Sequence, residues 1–231
     1  MKTIGLIGGM SWESSAEYYR IINETIKVRL GGFHSAECVL YSVDFAEIEA
    51  LQRGEKWPET AQILSGAAKN VEAAGADFIV LCTNTMHKVA PDIESAVRIP
   101  LLHIADATAQ KICARGLRRI GLLGTRFTME DDFYKGRLAR KHGLDILVPD
   151  PPDRQTVHRV IFQELVVGRI EQASHKQLLV IMERLARSGA EGVILGCTEL
   201  GLLVKEKDSP VPLFDTTRIH AEAAVDFALE S

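Results

Sequence analysis

The chain contains an internal repeat that relates its two halves. Residues 74–85, AGADFIVLCTNT, return at residues 188–199 as SGAEGVILGCTE, and the offset of 114 (197 − 83) pairs Thr83 with Cys197. Two further pairs of segments resemble each other: 3–9 with 119–125, and 99–108 with 211–220. Repeated halves usually form a pseudo-two-fold pair. Two equivalent strand ends are then expected to present one side chain each to opposite faces of a ligand.

Short β-branched runs alternate with amphipathic stretches, which is typical of an α/β protein built on parallel sheets. Strands are predicted near residues 2–7, 37–43, 77–82, 99–103, 119–124, 144–148, 192–196 and 211–214. Helices are predicted near residues 13–29, 57–74, 85–95, 105–115, 128–142, 154–167, 171–188 and 216–230.

We therefore predict two similar parallel-sheet α/β domains with the active site at their interface. The last predicted helix follows a strand that resembles residues 99–103, so it is expected to return to the first half of the chain. The predicted domains are 1–103 with 212–231, and 104–211.

The composition excludes several classes of function. A net charge of −4 without a cluster of basic residues gives no field for nucleic acid. No apolar run has the roughly 18 residues of a membrane span or forms a signal peptide, so a cytoplasmic protein is expected. The four cysteines lack CxxC or Cys/His ligand spacing, which argues against a zinc site and a redox pair.

Cys197 lies where a predicted strand ends and a helix begins. Ligands of open α/β sheets bind at such carboxyl ends of strands, and backbone N–H groups and the helix dipole there favour a thiolate. Gly196 before it permits close approach of the backbone to a ligand. The alternative is a small buried apolar side chain, as most cysteines are. Its place in the repeat favours a functional role for Cys197.

Thr83 occupies the equivalent strand end in the first half. Asn84 and Thr85 follow it and offer amide and hydroxyl groups suited to a carboxylate or an ammonium group. The same three residues are also good helix caps, and the two roles can coexist. A threonine hydroxyl is not a base at neutral pH without an activating partner, so Thr83 is expected to donate a hydrogen bond or hold a water molecule.

Two neighbours of Thr83 have more than one interpretation. Cys82 aligns with Gly196, and successive strand residues point to opposite sides, so a packed and inert thiol is favoured over a second reactive sulfur. His87 follows Thr83 by about one helical turn, and it either orients a neighbouring group or fills the interior.

The loop after the first strand holds Gly8, Gly9 and Met10. It matches neither a dinucleotide-binding nor a Walker motif, so no nucleotide is expected. It is either a tight turn capped by Ser11 or Ser14, or a turn whose N–H groups also contact a substrate carboxylate. Further candidates for contacts to the substrate are Thr125 in the equivalent loop, Thr198, Gln52, Arg53 and Glu164.

These segments together resemble the aspartate/glutamate racemase family over nearly the full length of the chain. The resemblance rests on GLIGGMSWESS at residues 5–15, on TNTMH at 83–87, where the family typically has Cys-Asn-Thr-x-His, and on GCTE at 196–199. It implies an enzyme of two α/β domains that uses neither pyridoxal phosphate nor a metal, commonly as a homodimer. In such enzymes a thiolate removes the α-proton of an amino acid and an opposite thiol returns one.

The departure from the family is Thr83, which stands where the first cysteine is expected. By the resemblance, Cys197 takes the proton of the L-enantiomer and position 83 serves the D-enantiomer. A racemase cannot shift its equilibrium, so the loss of one base slows inversion in both directions. Exchange of the α-proton at Cys197 is still expected, and the L-form of aspartate or glutamate is the predicted substrate.

In some members of the family an arginine or lysine binds the side-chain carboxylate of the substrate, but no such residue lies at a clearly matching position in this sequence. Gln52 is the expected neutral contact to the substrate side chain. A pocket without a cation would accept aspartate, glutamate or uncharged amino acids. Two alternatives stay open: a decarboxylase with a single cysteine, which protonates a carbanion on one face, and a non-catalytic protein that binds an amino acid.

Overall fold

Eight strands form two separate four-stranded parallel sheets that share one topology in the computed structural model, which describes residues 1–230. The strands are β1 Ile4–Gly8, β2 Cys38–Ser42, β3 Phe78–Leu81, β4 Leu101–Leu102, β5 Arg119–Gly124, β6 Asp145–Leu147, β7 Gly192–Gly196 and β8 Leu213–Asp215. The strand orders are β2-β1-β3-β4 and β6-β5-β7-β8. The sequence repeat thus corresponds to a repeated sheet, and the predicted α/β class is confirmed.

Eleven α-helices accompany the strands within residues 1–230. They are α1 Trp12–Leu30, α2 Phe45–Arg53, α3 Trp57–Ala73, α4 Ala90–Ala96, α5 Ile104–Ala114, α6 Arg126–Glu130, α7 Asp132–His142, α8 Pro151–Gln163, α9 Gln172–Arg187, α10 Leu200–Leu203 and α11 Thr216–Leu229. Short 3₁₀ helices cover Thr85–Val89, Leu165–Val167 and Glu206–Asp208. Within the described part of the chain, no helix is both long and apolar enough to cross a membrane.

The chain divides into two compact units. Unit 1 comprises Met1–Ile104 and residues from His220 onward, and unit 2 comprises Ala105–Ile219. The chain therefore passes back from unit 2 to unit 1 between Ile219 and His220, within α11. The sequence predicted this boundary between residues 211 and 212. Strand β8 belongs to unit 2 because Val193, Ile194 and Leu195 of β7 pair with it.

Apolar side chains cover both faces of the sheet in unit 1. Ile79 and Leu81 of β3 belong to a cluster with residues of α2, α3 and α4. Phe78 and Val80 point to the opposite face and join residues of α1 and α11. Successive side chains of β3 therefore point to opposite faces of the sheet, and both faces are buried. This explains why the sequence of β3 is a continuous apolar run.

The helices differ from the prediction at several places: α10 was not predicted, the predicted helix 85–95 begins as the 3₁₀ helix Thr85–Val89, and two further differences have a visible local cause. Helix α2 lies between two predicted elements and was missed, although Asp44 caps it by accepting a hydrogen bond from the backbone N–H of Ala46 at 3.0 Å. The predicted helix 128–142 is two helices, because Asp131 has extended backbone angles (φ −76°, ψ 158°) between α6 and α7.

Candidate functional site

The turn after β1 is a tight loop held by serine side chains. Gly9 has φ +90°, and an added Cβ would collide with the main chain of Val43. The hydroxyl of Ser15 accepts the N–H of Gly9 at 2.8 Å and donates to the carbonyl oxygen of Ser11 at 3.0 Å. Ser11 caps α1. The side chain of Met10 is buried in the apolar cluster of unit 1, so only its main chain is suited to a substrate contact.

The end of β3 places three buried polar residues in sequence: Thr83, Asn84 and Thr85. The N–H of Thr83 donates to the carbonyl oxygen of Leu81 at 2.8 Å. Asn84 occupies the N-cap position of the following 3₁₀ helix, but its side chain makes no capping hydrogen bond. The capping role expected for this segment is therefore wrong at Asn84, and a role in binding stays a prediction.

The thiol of Cys82 is fully buried in the apolar cluster between the sheet and helices α1 and α11. Burial raises the pKa of this thiol far above its ordinary value. The position therefore favours the packed, inert cysteine over a reactive one.

Two glycines let the ends of β5 and β7 come together in unit 2. An added Cβ at Gly196 would lie 2.9 Å from the carbonyl oxygen of Leu123, and one at Gly124 would lie 3.0 Å from that of Gly196. The side chain of Thr128 packs against both glycines. Thr125 caps α6 by accepting the N–H of Thr128 at 3.3 Å. The hydroxyl of Thr125 is thus held at the end of β5, directly beside the strand that leads to Cys197.

Cys197 follows β7 and is half-buried. Its Sγ donates a hydrogen bond to Oε2 of Glu199 at 3.0 Å. The hydroxyl of Thr198 donates to the same oxygen at 2.5 Å. The Glu199 side chain is buried, with the residue only 6% exposed. A thiol and a buried carboxylate therefore form a hydrogen-bonded pair at the end of β7.

The thiol form of Cys197 is favoured in this structure. Burial raises its pKa well above the ordinary value, the charge of Glu199 adds to the rise, and the backbone N–H groups of Glu199 and Leu200 only partly oppose it. The expectation that the helix start alone favours a thiolate is therefore wrong. Helix α10 has only four residues, and a carboxylate stands immediately before it.

The residues predicted to bind the side chain of the substrate lie in different environments. Gln52 is buried near the C-terminal end of α2 in unit 1. The neighbouring Arg53 is exposed and lies 3.7 Å from Glu49, as a solvated surface residue does. In unit 2, Glu164 is mostly buried and pairs with Arg159 at 2.7 Å. Arg53 is thus the least suited of the three to a binding role.

Sequence reasoning missed two features near these strand ends. Glu199 in GCTE has no predicted role, although an acidic residue two positions after a candidate nucleophile is a visible sign. It also missed that His87 has two buried histidines as neighbours, His103 and His220. Positions so far apart in the chain give no local signal of their proximity.

Two α/β units with the same strand order, each with polar residues at a strand end, define a duplicated α/β protein. Residues 7–224 match the family model described as Asp/Glu/hydantoin racemase. The chain belongs to this family and is an enzyme of the isomerase class.

Solved structures of relatives share the fold over the whole chain. A candidate Asp/Glu racemase from Yersinia pestis is 56% identical, with 100% of both chains covered and a TM-score of 0.94. An aspartate racemase homologue from Pyrococcus horikoshii is 38% identical, also with 100% of both chains covered and a TM-score of 0.86. The broad specificity amino-acid racemase RacX of Bacillus subtilis is 27% identical over 71% of this chain and 69% of its own length.

Proposed function

We propose that this enzyme racemises aspartate or glutamate without a cofactor, prefers the L-enantiomer, and uses Cys197 as the base on that side. The observation that carries the proposal is the hydrogen bond of 3.0 Å between Sγ of Cys197 and the buried carboxylate of Glu199. It gives the thiol proton an acceptor inside the site, which a cysteine with a raised pKa needs before it can act as a base.

The first step moves two protons. The S–H bond of Cys197 breaks as its proton passes to Oε2 of Glu199, which leaves a thiolate and a neutral glutamic acid. The thiolate then takes the α-proton of the L-amino acid, and the electron pair of the C–H bond remains on the substrate as a carbanion delocalised into its carboxylate. This chemistry requires a reduced cysteine, in keeping with the cytoplasmic location that we propose.

Reprotonation decides between exchange and inversion. Return of the proton from Cys197 regenerates the L-form, whereas delivery to the other face of the carbon gives the D-form. We assign that second face to Thr83, because its hydroxyl can donate its own proton to the carbanion and take a replacement from a water molecule. The hydroxide that remains is neutralised by the proton held on Glu199, which returns the enzyme to its starting state. Because this hydroxyl cannot act as an acid with the strength of a thiol, exchange at Cys197 is faster than inversion, and the final mixture is still racemic.

The remaining strand-end groups would hold the amino acid. We propose that Asn84, Thr85, Thr125 and Thr198, with the main chain of Met10, contact its carboxylate and ammonium groups. Gln52 would then contact the side chain of the substrate through its neutral amide. The broad specificity of the relative RacX supports a pocket that also accepts other amino acids.

We also propose that the enzyme is a homodimer. Trp12 and Tyr19 lie seven residues apart on α1, so they share one helix face, and both are more than half exposed. Leu40 and Tyr41 are exposed on β2, the edge strand of its sheet. Exposed apolar surface of this kind marks an interaction site. Light scattering after size exclusion should give a dimer mass that Tyr19→Glu reduces, and a wild-type monomer would contradict the proposal.

The experiment that tests the catalytic assignment compares cysteine variants. The α-proton signal of L-aspartate and L-glutamate is followed by NMR in D₂O with the wild type, Cys197→Ser and the matched control Cys82→Ser. The wild type and the control should exchange the α-proton, and Cys197→Ser should not. Exchange that survives in Cys197→Ser but is lost in Cys82→Ser would move the base to Cys82.

A further inference from the structure

Three buried histidines form a cluster in unit 1, next to the strand end that carries Thr83. His87, His103 and His220 are 2%, 4% and 0% exposed. The ring of His87 lies 4.4 Å from that of His103 and 5.9 Å from that of His220, measured between centroids. Within residues 1–230 no group of such side chains is arranged to hold a metal ion. The cluster therefore needs another explanation.

The hydrogen bonds of His87 define its protonation. The backbone N–H of Ile104 donates to Nε2 of His87 at 3.2 Å, so this nitrogen is the acceptor. The other nitrogen, Nδ1, lies 2.8 Å from the carbonyl oxygen of Thr83, which can only accept. His87 is consequently the neutral tautomer with its proton on Nδ1.

The neighbouring His220 is fixed in the other tautomer. Its Nε2 lies 2.8 Å from the carbonyl oxygen of Leu102 and must donate to it, so Nδ1 accepts the hydroxyl of Tyr18 at 2.8 Å. Burial lowers the pKa of His220 to about 4. At neutral pH this neighbour is uncharged and places no positive charge beside His87.

Both main-chain groups of Thr83 are therefore bound. Its N–H donates to Leu81, and its carbonyl oxygen accepts from Nδ1 of His87. The bond to His87 spans four residues at the start of a 3₁₀ helix, whose own hydrogen bonds span only three. The imidazole thus supplies a hydrogen bond that the local backbone does not, and it orients the peptide from which the Thr83 side chain projects.

We propose that His87 is a positioning residue for Thr83: its Nδ1–H holds the Thr83 carbonyl and so directs the Thr83 hydroxyl toward the substrate. The inference rests on the proposed function, because it assigns His87 to the slower face of the same reaction. Loss of the Nδ1 bond should slow inversion more than it slows exchange of the α-proton of the L-substrate, which occurs at Cys197.

The test uses variants of His87 that keep different hydrogen bonds. The amide N–H of His87→Asn can replace Nδ1–H, His87→Gln places its amide nearer the Ile104 N–H, and His87→Leu removes both bonds. The control is His220→Leu, which removes an equally buried imidazole with no bond to Thr83. For each variant, L-aspartate in D₂O gives the exchange rate by NMR and the inversion rate by chiral chromatography.

We expect the ratio of inversion to exchange to fall at least about tenfold in His87→Leu and His87→Gln, since small misplacements of reacting groups cost about this much or more. His87→Asn should recover most of the ratio, and His220→Leu should leave it unchanged. Equal losses of exchange and inversion in the His87 variants would reduce His87 to a packing residue and overturn the inference.

A second measurement is independent of activity. Long-range proton–nitrogen NMR of the histidine rings should show that Nδ1 of His87 carries the proton and that Nε2 does not. The opposite tautomer would overturn the inference even in an active enzyme. Absence of α-proton exchange in the wild type, together with the expected tautomer, would instead refute the proposed function.

Discussion

Replacing Glu199 with glutamine separates two opposite effects of its carboxylate on Cys197. The carboxylate lies 3.0 Å from Sγ, and after burial its charge is the next cause of the raised pKa of the thiol. If that were its only effect, Glu199→Gln would lower the pKa of Cys197 and speed α-proton exchange at neutral pH. If the carboxylate accepts the thiol proton, the same substitution slows exchange.

We expect slower exchange. A positioned group that transfers a proton contributes about 10² to 10⁴-fold to the rate. At 1.36 kcal/mol per factor of ten, this is roughly 3–5 kcal/mol of activation free energy. Glutamine has nearly the same volume as glutamate and can still accept the hydrogen bond of the Thr198 hydroxyl, so the substitution leaves no cavity at this buried site.

The assay is loss of the α-proton signal of L-aspartate in D₂O, followed from weakly acidic to alkaline pD. Glu199→Gln should be at least about 100-fold slower than the wild type at neutral pD. Its rate should rise with pD, because hydroxide then ionises the thiol in place of Glu199. Glu206→Gln, which changes an exposed carboxylate of the same unit, should behave as the wild type. A Glu199→Gln enzyme that exchanges as fast as the wild type would refute the reasoning.

Three further substitutions have defined outcomes. Gly9→Ala adds a Cβ at φ +90° against a main-chain carbonyl. Urea unfolding should therefore show that the free energy of unfolding falls by at least about 2 kcal/mol. The control Gly66→Ala lies in an open helical position and should raise the free energy of unfolding slightly. Thr83→Cys restores a thiol on the second face, which removes the α-proton of D-aspartate, and should speed inversion from D-aspartate at least about tenfold by chiral chromatography; an unchanged rate would contradict the assignment of Thr83. Burial acts to raise the pKa of Asp106, but hydrogen bonds from three basic side chains outweigh it and hold the pKa below its ordinary range. The stabilisation that the ionised Asp106 gives is therefore fully present above its unfolded pKa of about 4 and is lost as the pH falls further. Asp106→Asn should lower the free energy of urea unfolding by about 1–3 kcal/mol at neutral pH and by less in acid. A decrease that does not depend on pH would contradict this role of Asp106.

Much of the fold follows from the repeat and the strand pattern. All eight predicted strands are present, because each is a short apolar run bounded by residues that break strands. The missed α2 had a sequence signal, an aspartate followed by glutamate three residues later, at Asp44 and Glu47. The break at Asp131 had a weaker signal, because neither glycine nor proline marks it, although aspartate is a favoured residue at the N-cap position that it occupies before α7.

The candidate site was predictable in its positions but not in its contacts. The repeat placed Thr83 and Cys197 at equivalent strand ends, since such ends follow from sequence periodicity. The pairing of Cys197 with Glu199 depends on the turn after β7, where Glu199 has helical angles (φ −76°, ψ −21°) that bring its side chain back to the sulfur. The contacts between His87 and His220 join segments that only the folded chain brings together.

The most direct measurement of the central claim is the time course of L-aspartate and D-aspartate, each alone, with the wild-type enzyme in D₂O. We predict that L-aspartate loses its α-proton faster than D-aspartate forms, that the D-product carries deuterium at Cα, and that both reactions end at equal amounts of the two forms. Retention of the α-proton by L-aspartate and L-glutamate under the same conditions would contradict a racemase in which Cys197 is the base.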